Sequence, residues 1–286
     1  MSLFSAVEMA PRDPILGLNE QFNADTNPAK VNLGVGVYFD DNGKLPLLKC
    51  VQSAEAAMAA APKPQAIGGT GGLKIGADFL KKLNPNAKVL ISDPSWENHQ
   101  ALFTNAGFKV ETYRYYDAQT RGLNVDGMLA DLTAAPAGTI ALLHACCHNP
   151  TGYDITAAQW DKVVAICKTN KLVPFLDMAY QGFGYGLKED GAVIQKFVDA
   201  GLTFFVSTSF SKSFSLYGER VGALSVLCTD KAEADRVLSQ LKIAIRTNYS
   251  NPPTHGGSVV AAVLNSPELR KQWEDELAEM RVRIKA

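Results

Sequence analysis

Short apolar runs recur along the chain, separated by longer stretches with helical spacing. Residues 88–92, 108–113, 139–144, 172–177, 203–207 and 221–228 read as strands. Residues 73–83, 98–106, 157–170, 191–200 and 230–245 read as helices. Residues 54–61 are alanine-rich and favour helix until Pro62-Lys-Pro64 breaks the pattern. Strands alternating with helices predict an α/β fold, a mostly parallel doubly wound sheet with helices on both faces. Ligands of such sheets gather at the carboxyl ends of the strands. In residues 267–286, Leu269, Trp273, Leu277, Met280 and Ile284 share one helical face. That helix stops without a Gly or Pro terminator, so more chain is expected after it.

The polar clusters fall just after the expected strands or at helix starts. The segment FFVSTSFSKSFSLYGERVG places Lys212 among Ser207, Ser209, Ser211 and Ser213, with Arg220 eight residues on. Hydroxyls plus a guanidinium suit a phosphate. A lysine beside that phosphate suits a phosphorylated aldehyde held as a Schiff base, the anatomy of a pyridoxal phosphate site. A serine-rich surface loop is the plainer alternative. Gly68-Gly-Thr-Gly-Gly72 opens a helix, where backbone N–H groups and the Thr70 hydroxyl favour an anion. A plain glycine turn and a dinucleotide loop are the rival readings. The latter is weakened by Lys74, which stands where a third glycine is required.

Asp177 ends an apolar strand, where a carboxylate either pairs with a pyridinium nitrogen or caps a helix. Tyr180 is three residues on, within reach of a ring hydroxyl. Asn149, in the Asn-Pro turn of HACCHNPTG, presents its amide. Trp96 either stacks on a flat ring or packs at the surface. His144 and His148 lie on a strand-to-turn segment without a nearby carboxylate, so a metal site is not expected there. Arg246 suits a carboxylate or is a surface arginine.

Together the segments VNLGVGVY, GGTGGLKIGADFL, SDPSWENH, HACCHNPTG, PFLDMAYQGFG, SFSKSFSLYGERVG and IRTNYSNPP resemble the class I pyridoxal-phosphate aminotransferases, in the aspartate and aromatic (tyrosine) branch. The resemblance covers essentially the whole chain. It implies a fold-type I large domain over residues 45–264, preceded by an arm at 1–44 and followed at 265–286 by the start of a small domain. It implies amino transfer from an aromatic amino acid or aspartate to 2-oxoglutarate, in ping-pong order through pyridoxamine phosphate. Lys212 would be the Schiff-base lysine and proton shuttle, Asp177 the partner of the pyridinium, and Tyr180 and Asn149 the partners of the ring oxygen. Trp96 would stack on the ring. Gly69, Thr70, Ser209, Ser211 and Arg220 would hold the phosphate. Gly36 would lie at the substrate carboxylate, and Arg246 would reach a dicarboxylate in a neighbouring subunit, implying a homodimer.

The chain departs from the family pattern after Pro64, where a tyrosine-bearing loop is missing, and no residue here matches the arginine that binds the α-carboxylate. Two other readings follow: a truncated, non-catalytic pyridoxal-phosphate-binding protein, and a Schiff-base lyase on the same fold.

Composition narrows the rest. The 286 residues are 47% hydrophobic and carry net charge −1, so neither a nucleic-acid surface nor a membrane span is expected. The five cysteines include no CxxC, which fits a reducing, cytoplasmic compartment. Small amino acids and 2-oxo acids are the expected partners.

Overall fold

A computed structural model describes residues 21–31, 38–58 and 68–286. Two compact units are formed, Met1–Pro46 and Leu47–Ala286. In the first, Asp40 braces a turn by accepting from the backbone N–H of Asn42 at 2.9 Å and of Lys44 at 2.8 Å.

The second unit opens with helices α1 (Lys49–Met58) and α2 (Gly69–Leu83), then strand β1 (Lys88–Asp93), α3 (Glu97–Asn105) and β2 (Lys109–Arg114). A short hairpin, β3 (Tyr116–Asp117) and β4 (Gly122–Leu123), leads to α4 (Val125–Ala134). Next come β5 (Ile140–His144), α5 (Ala157–Thr169), β6 (Val173–Met178), α6 (Leu187–Asp199), β7 (Phe204–Ser209) and β8 (Gly222–Leu227). Helices α7 (Lys231–Tyr249), α8 (His255–Asn265) and α9 (Pro267–Lys285) complete the described chain.

The six-stranded sheet has the order β2-β1-β5-β6-β7-β8. The first five strands are parallel, and β8 runs antiparallel to β7. The chain moves outward from β1 to β2, then returns to β1's other side as β5. That reversal makes a crevice at the carboxyl ends, where such folds bind ligands. Apolar clusters cover both sheet faces. One joins Met128, Leu132, Trp160, Val163 and Phe197 to the sheet. The other joins Leu73, Phe79, Phe103 and Leu241 to Phe175 and Phe205. β5 and β6 are buried almost throughout, as strands covered on both faces must be.

Helix α2 begins four residues before the expected start, so the glycines form its first turn rather than a loop ahead of it. Their reason is contact. A Cβ on Gly69 would stand 2.8 Å from Ser209 Cβ, one on Gly72 2.5 Å from Ser207 Oγ, and one on Gly76 2.6 Å from the Phe175 ring. The helix thus lies directly on β6 and β7. Ser207 Oγ, fully buried, donates to Gly69 O at 2.8 Å and fixes this contact.

Between β7 and β8 the chain makes an excursion pinned at its neck by Phe210 N–H donating to Val221 O at 3.0 Å. Phe214 and Leu216 bury inside it. Trp273 of α9 stacks on Phe214 at 4.4 Å and donates its indole N–H to Ser213 O at 2.7 Å. The final helix therefore fastens the turn that carries Lys212.

Candidate active site

Parallel register aligns the ends of three strands: His144 pairs with Asp177, and Asp177 with Ser207. The loops that follow β1, β5, β6 and β7 carry Trp96, Asn149, Tyr180 and Lys212. Asp177 is buried, 7% exposed, within β6 itself. It is not a helix cap. Its Oδ2 lies 2.8 Å from His99 Nε2, and His99 is completely buried.

A directed chain of hydrogen bonds runs behind this pair. Asn149 N–H donates to His144 Nδ1 at 3.3 Å, which leaves the proton of a neutral ring on Nε2. His144 Nε2 then donates to Ser95 Oγ at 3.3 Å, Ser95 donates to His99 Nδ1 at 2.9 Å, and His99 Nε2 donates to Asp177. Each tautomer follows from its neighbour's bond. Burial first, then the neighbouring imidazoles His99 and His148, hold His144 well below the usual histidine range, so it stays neutral. His148 stacks on Tyr115 at 3.9 Å and bonds Ser92 and Thr151; burial pulls it down to about 4. These histidines support Asp177 and the Asn149 loop. His99 was missed in the sequence, although its place three residues after Trp96, in the first turn of α3, was the available signal.

Lys212 is half-buried, and its Nζ lies 5.1 Å from the centre of the Tyr180 ring. Burial lowers its pKa and the nearby Arg220 charge adds to that, while Asp177 opposes. Burial pushes the Tyr180 hydroxyl up to about 12, against the pull of its hydrogen bond with Asn149. Trp96 meets the His99 ring edge-on at 5.2 Å.

The anion-binding residues also assemble. Gly68 precedes α2 without any side-chain cap, leaving the first-turn N–H groups of Gly69 and Thr70 available to a ligand. Ser209 and Ser211 are buried beside that turn, and Ser209 Oγ accepts from Ser211 N–H at 3.3 Å. Arg220 adopts a left-handed φ of 54°, donates to Tyr217 O at 2.7 Å, and has its Nη2 3.4 Å from where a Gly68 Cβ would lie. An uncapped helix start, hydroxyls and a guanidinium fit a phosphate. Lys212 beside them fits an aldehyde, and the His99-backed Asp177 fits a ring nitrogen. The residues present therefore suit pyridoxal phosphate.

Gly36 is outside the described residues. Arg246 sits exposed on the last turn of α7 and donates to Ser250 Oγ at 2.9 Å, apart from the cluster.

The family model for aminotransferase class I and II matches residues 58–286. An aspartate aminotransferase of Pseudomonas aeruginosa is 58% identical over 321 aligned positions, covering 100% of this chain and 81% of the relative. An aromatic-amino-acid aminotransferase of Escherichia coli is 47% identical, covering 99% and 81%. Among solved structures, an aromatic-amino-acid aminotransferase of Burkholderia pseudomallei, covalently bound to pyridoxal phosphate, superposes with a TM-score of 0.96 at 60% identity. That match covers 99% of this chain and 80% of the other.

Proposed function

The chain belongs to the class I and II aminotransferases, and we propose that it moves the amino group of an aromatic amino acid or aspartate to 2-oxoglutarate. The observation that carries this is Lys212: half-buried, shifted toward its neutral form, and facing Tyr180 beside an uncapped helix start. Pyridoxal 5'-phosphate is the cofactor, and when bound it supplies an aldehyde for amino groups and a ring that withdraws electrons from the carbon losing its proton.

The side chains do the rest. Lys212 holds the cofactor between turnovers, and its neutral amine takes and returns the proton at the substrate α-carbon. Asp177, oriented by the hydrogen bond from His99 Nε2, faces the ring nitrogen and favours its protonated form. Tyr180 and Asn149 orient the ring oxygen, and Trp96 covers one ring face. Gly69, Thr70, Ser209, Ser211 and Arg220 anchor the phosphate, so the reacting end is aimed while the amino group moves. Donor and acceptor react in turn, in ping-pong order. Arg246 is offered to the partner's site in a homodimer and selects dicarboxylates over aromatic side chains. Residues 45–264 serve as the large domain and 265–286 open the small one, in a cytoplasmic enzyme.

The test is a half-reaction. With tyrosine or aspartate and no acceptor, one equivalent of oxo acid forms per site, and adding 2-oxoglutarate restores turnover. Oxo acid that forms only when both substrates are present refutes the ping-pong order.

One observation favours a second reading, cofactor binding without turnover. The Pseudomonas relative aligns over 321 positions against 286 residues, so 35 positions face a gap in this chain. A cofactor spectrum that never changes with any amino acid supports this reading.

A further inference from the structure

Outside the Lys212 cluster, Cys146 and Cys147 follow β5, and Asp190 lies in the first turn of α6. Their two sulfurs and a carboxylate oxygen all lie within 4.8 Å of one another. Cys146 and Asp190 are buried, and Cys147 is half-buried, giving the group one open side. The cluster is held rigidly. Asp154 accepts from Cys147 N–H at 2.7 Å and His148 N–H at 2.9 Å, bracing a left-handed φ of 49° at Cys147. Asp190 Oδ2 accepts from Gly182 and Gly184 N–H at 2.8 and 2.9 Å, and Oδ1 from Tyr185 N–H at 2.8 Å. Those bonds serve as the outer partners that orient a ligating carboxylate.

We propose that Cys146, Cys147 and Asp190 form a binding site for one thiophilic divalent cation of the zinc and cadmium class. Two sulfurs and one carboxylate oxygen are donors such ions accept, and water on the open Cys147 side completes a tetrahedron. Tetrahedral coordination at about 2.3 Å per sulfur needs only a small contraction of this group. Binding exchanges two S–H bonds for two metal–sulfur bonds and releases both protons to water. Cys147 Sγ now contacts Tyr180 O at 3.8 Å, and that contact is given up when the sulfur turns to the ion. The ion would link the Asn149 loop to the segment after Tyr180, the two residues paired beside Lys212. This last consequence rests on the aminotransferase reading; the binding does not.

The test titrates Cd2+ into the cofactor-loaded protein and follows the thiolate-to-cadmium charge-transfer absorbance. One Cd2+ per chain is expected, with the band intact in Cys50→Ser and Cys228→Ser. In Cys147→Ser and Cys146→Ser, affinity should fall by more than the roughly 10- to 100-fold that loss of an outer partner costs. Should Cys146→Ser misfold, half-buried Cys147→Ser decides alone, with cofactor absorbance reporting its fold. No charge-transfer band in the wild type, or a band unchanged in Cys147→Ser, overturns the proposal. A band with unchanged amino transfer overturns only the link to Tyr180.

Discussion

Replacing Gly72 with alanine tests whether the seating of α2 on β7 has been understood. The added methyl would stand 2.5 Å from Ser207 Oγ, while its next neighbours, Ala223 O and Ser207 Cβ, are at 3.5 Å. The clash is therefore with one atom. Ser207 is completely buried, so turning its hydroxyl aside breaks the bond to Gly69 O and strands both groups, at a cost of about 1–3 kcal/mol. Moving the helix instead costs a similar ~1–3 kcal/mol of overpacking. Alanine's better helix propensity offsets up to ~1 kcal/mol, less near a helix start. The expected net loss is about 1–2 kcal/mol, read as a lower urea midpoint at unchanged slope. Cofactor affinity should fall too, because the Gly69 and Thr70 N–H groups move with the helix. The decisive control is Ser207→Ala in the Gly72→Ala background. It removes the clashing oxygen, leaves ordinary 3.5 Å contacts, and should recover part of the loss as a coupling energy. Additive effects, or a Gly72→Ala protein as stable as the parent, would refute the packing account.

Four further outcomes are expected. Lys212→Ala should lower amino transfer by about 10^4 or more, the upper range for a lost proton-transfer group, while cofactor still associates through its phosphate. In the cofactor-free protein, Lys212→Met should raise stability at neutral pH. The wild-type lysine has a lowered folded pKa, so the unfolded chain binds more protons and wild-type stability recovers as pH rises toward the lysine's ordinary range; urea midpoints across pH would show the difference shrinking. Arg220→Ala should weaken cofactor binding by about 1.5–3 kcal/mol, the value of a charge-assisted bond, measured by equilibrium titration of cofactor absorbance. Arg246→Ala should reduce kcat/KM for aspartate by about tenfold or more and spare tyrosine, and an equal loss on both would deny Arg246 a part in substrate choice.

Much of the fold was legible because strands buried on both faces are near-continuous apolar runs, as in Ile140–His144 and Val173–Met178. The reversed direction of β8 was not, since an apolar run carries no sign of its partner's direction. Helices α4 and α8 also escaped the sequence reading. Val125–Ala134 carries Gly127 in its first turn, which blurs its period, although Asn124 caps it by accepting from Gly127 N–H at 2.9 Å. His255–Asn265 opens with two glycines and is apolar on nearly every side, so no stripe marks it. The glycines of α2 were read as opening a helix start to an anion, with a plain turn as the rival; their close approach to the sheet is a tertiary demand the local sequence does not state. In the site, strand ends made Asp177 and Lys212 visible. The bond from His99 spans 78 residues and depends on β1 and β6 standing one strand apart, which spacing alone does not reveal.

The central claim is that Lys212 carries the cofactor. Borohydride reduction of the protein with pyridoxal phosphate, followed by intact mass and peptide mapping, tests it most directly. The account predicts a single cofactor adduct on the peptide containing Lys212, lost in Lys212→Ala. An adduct on another lysine, or none, would contradict it.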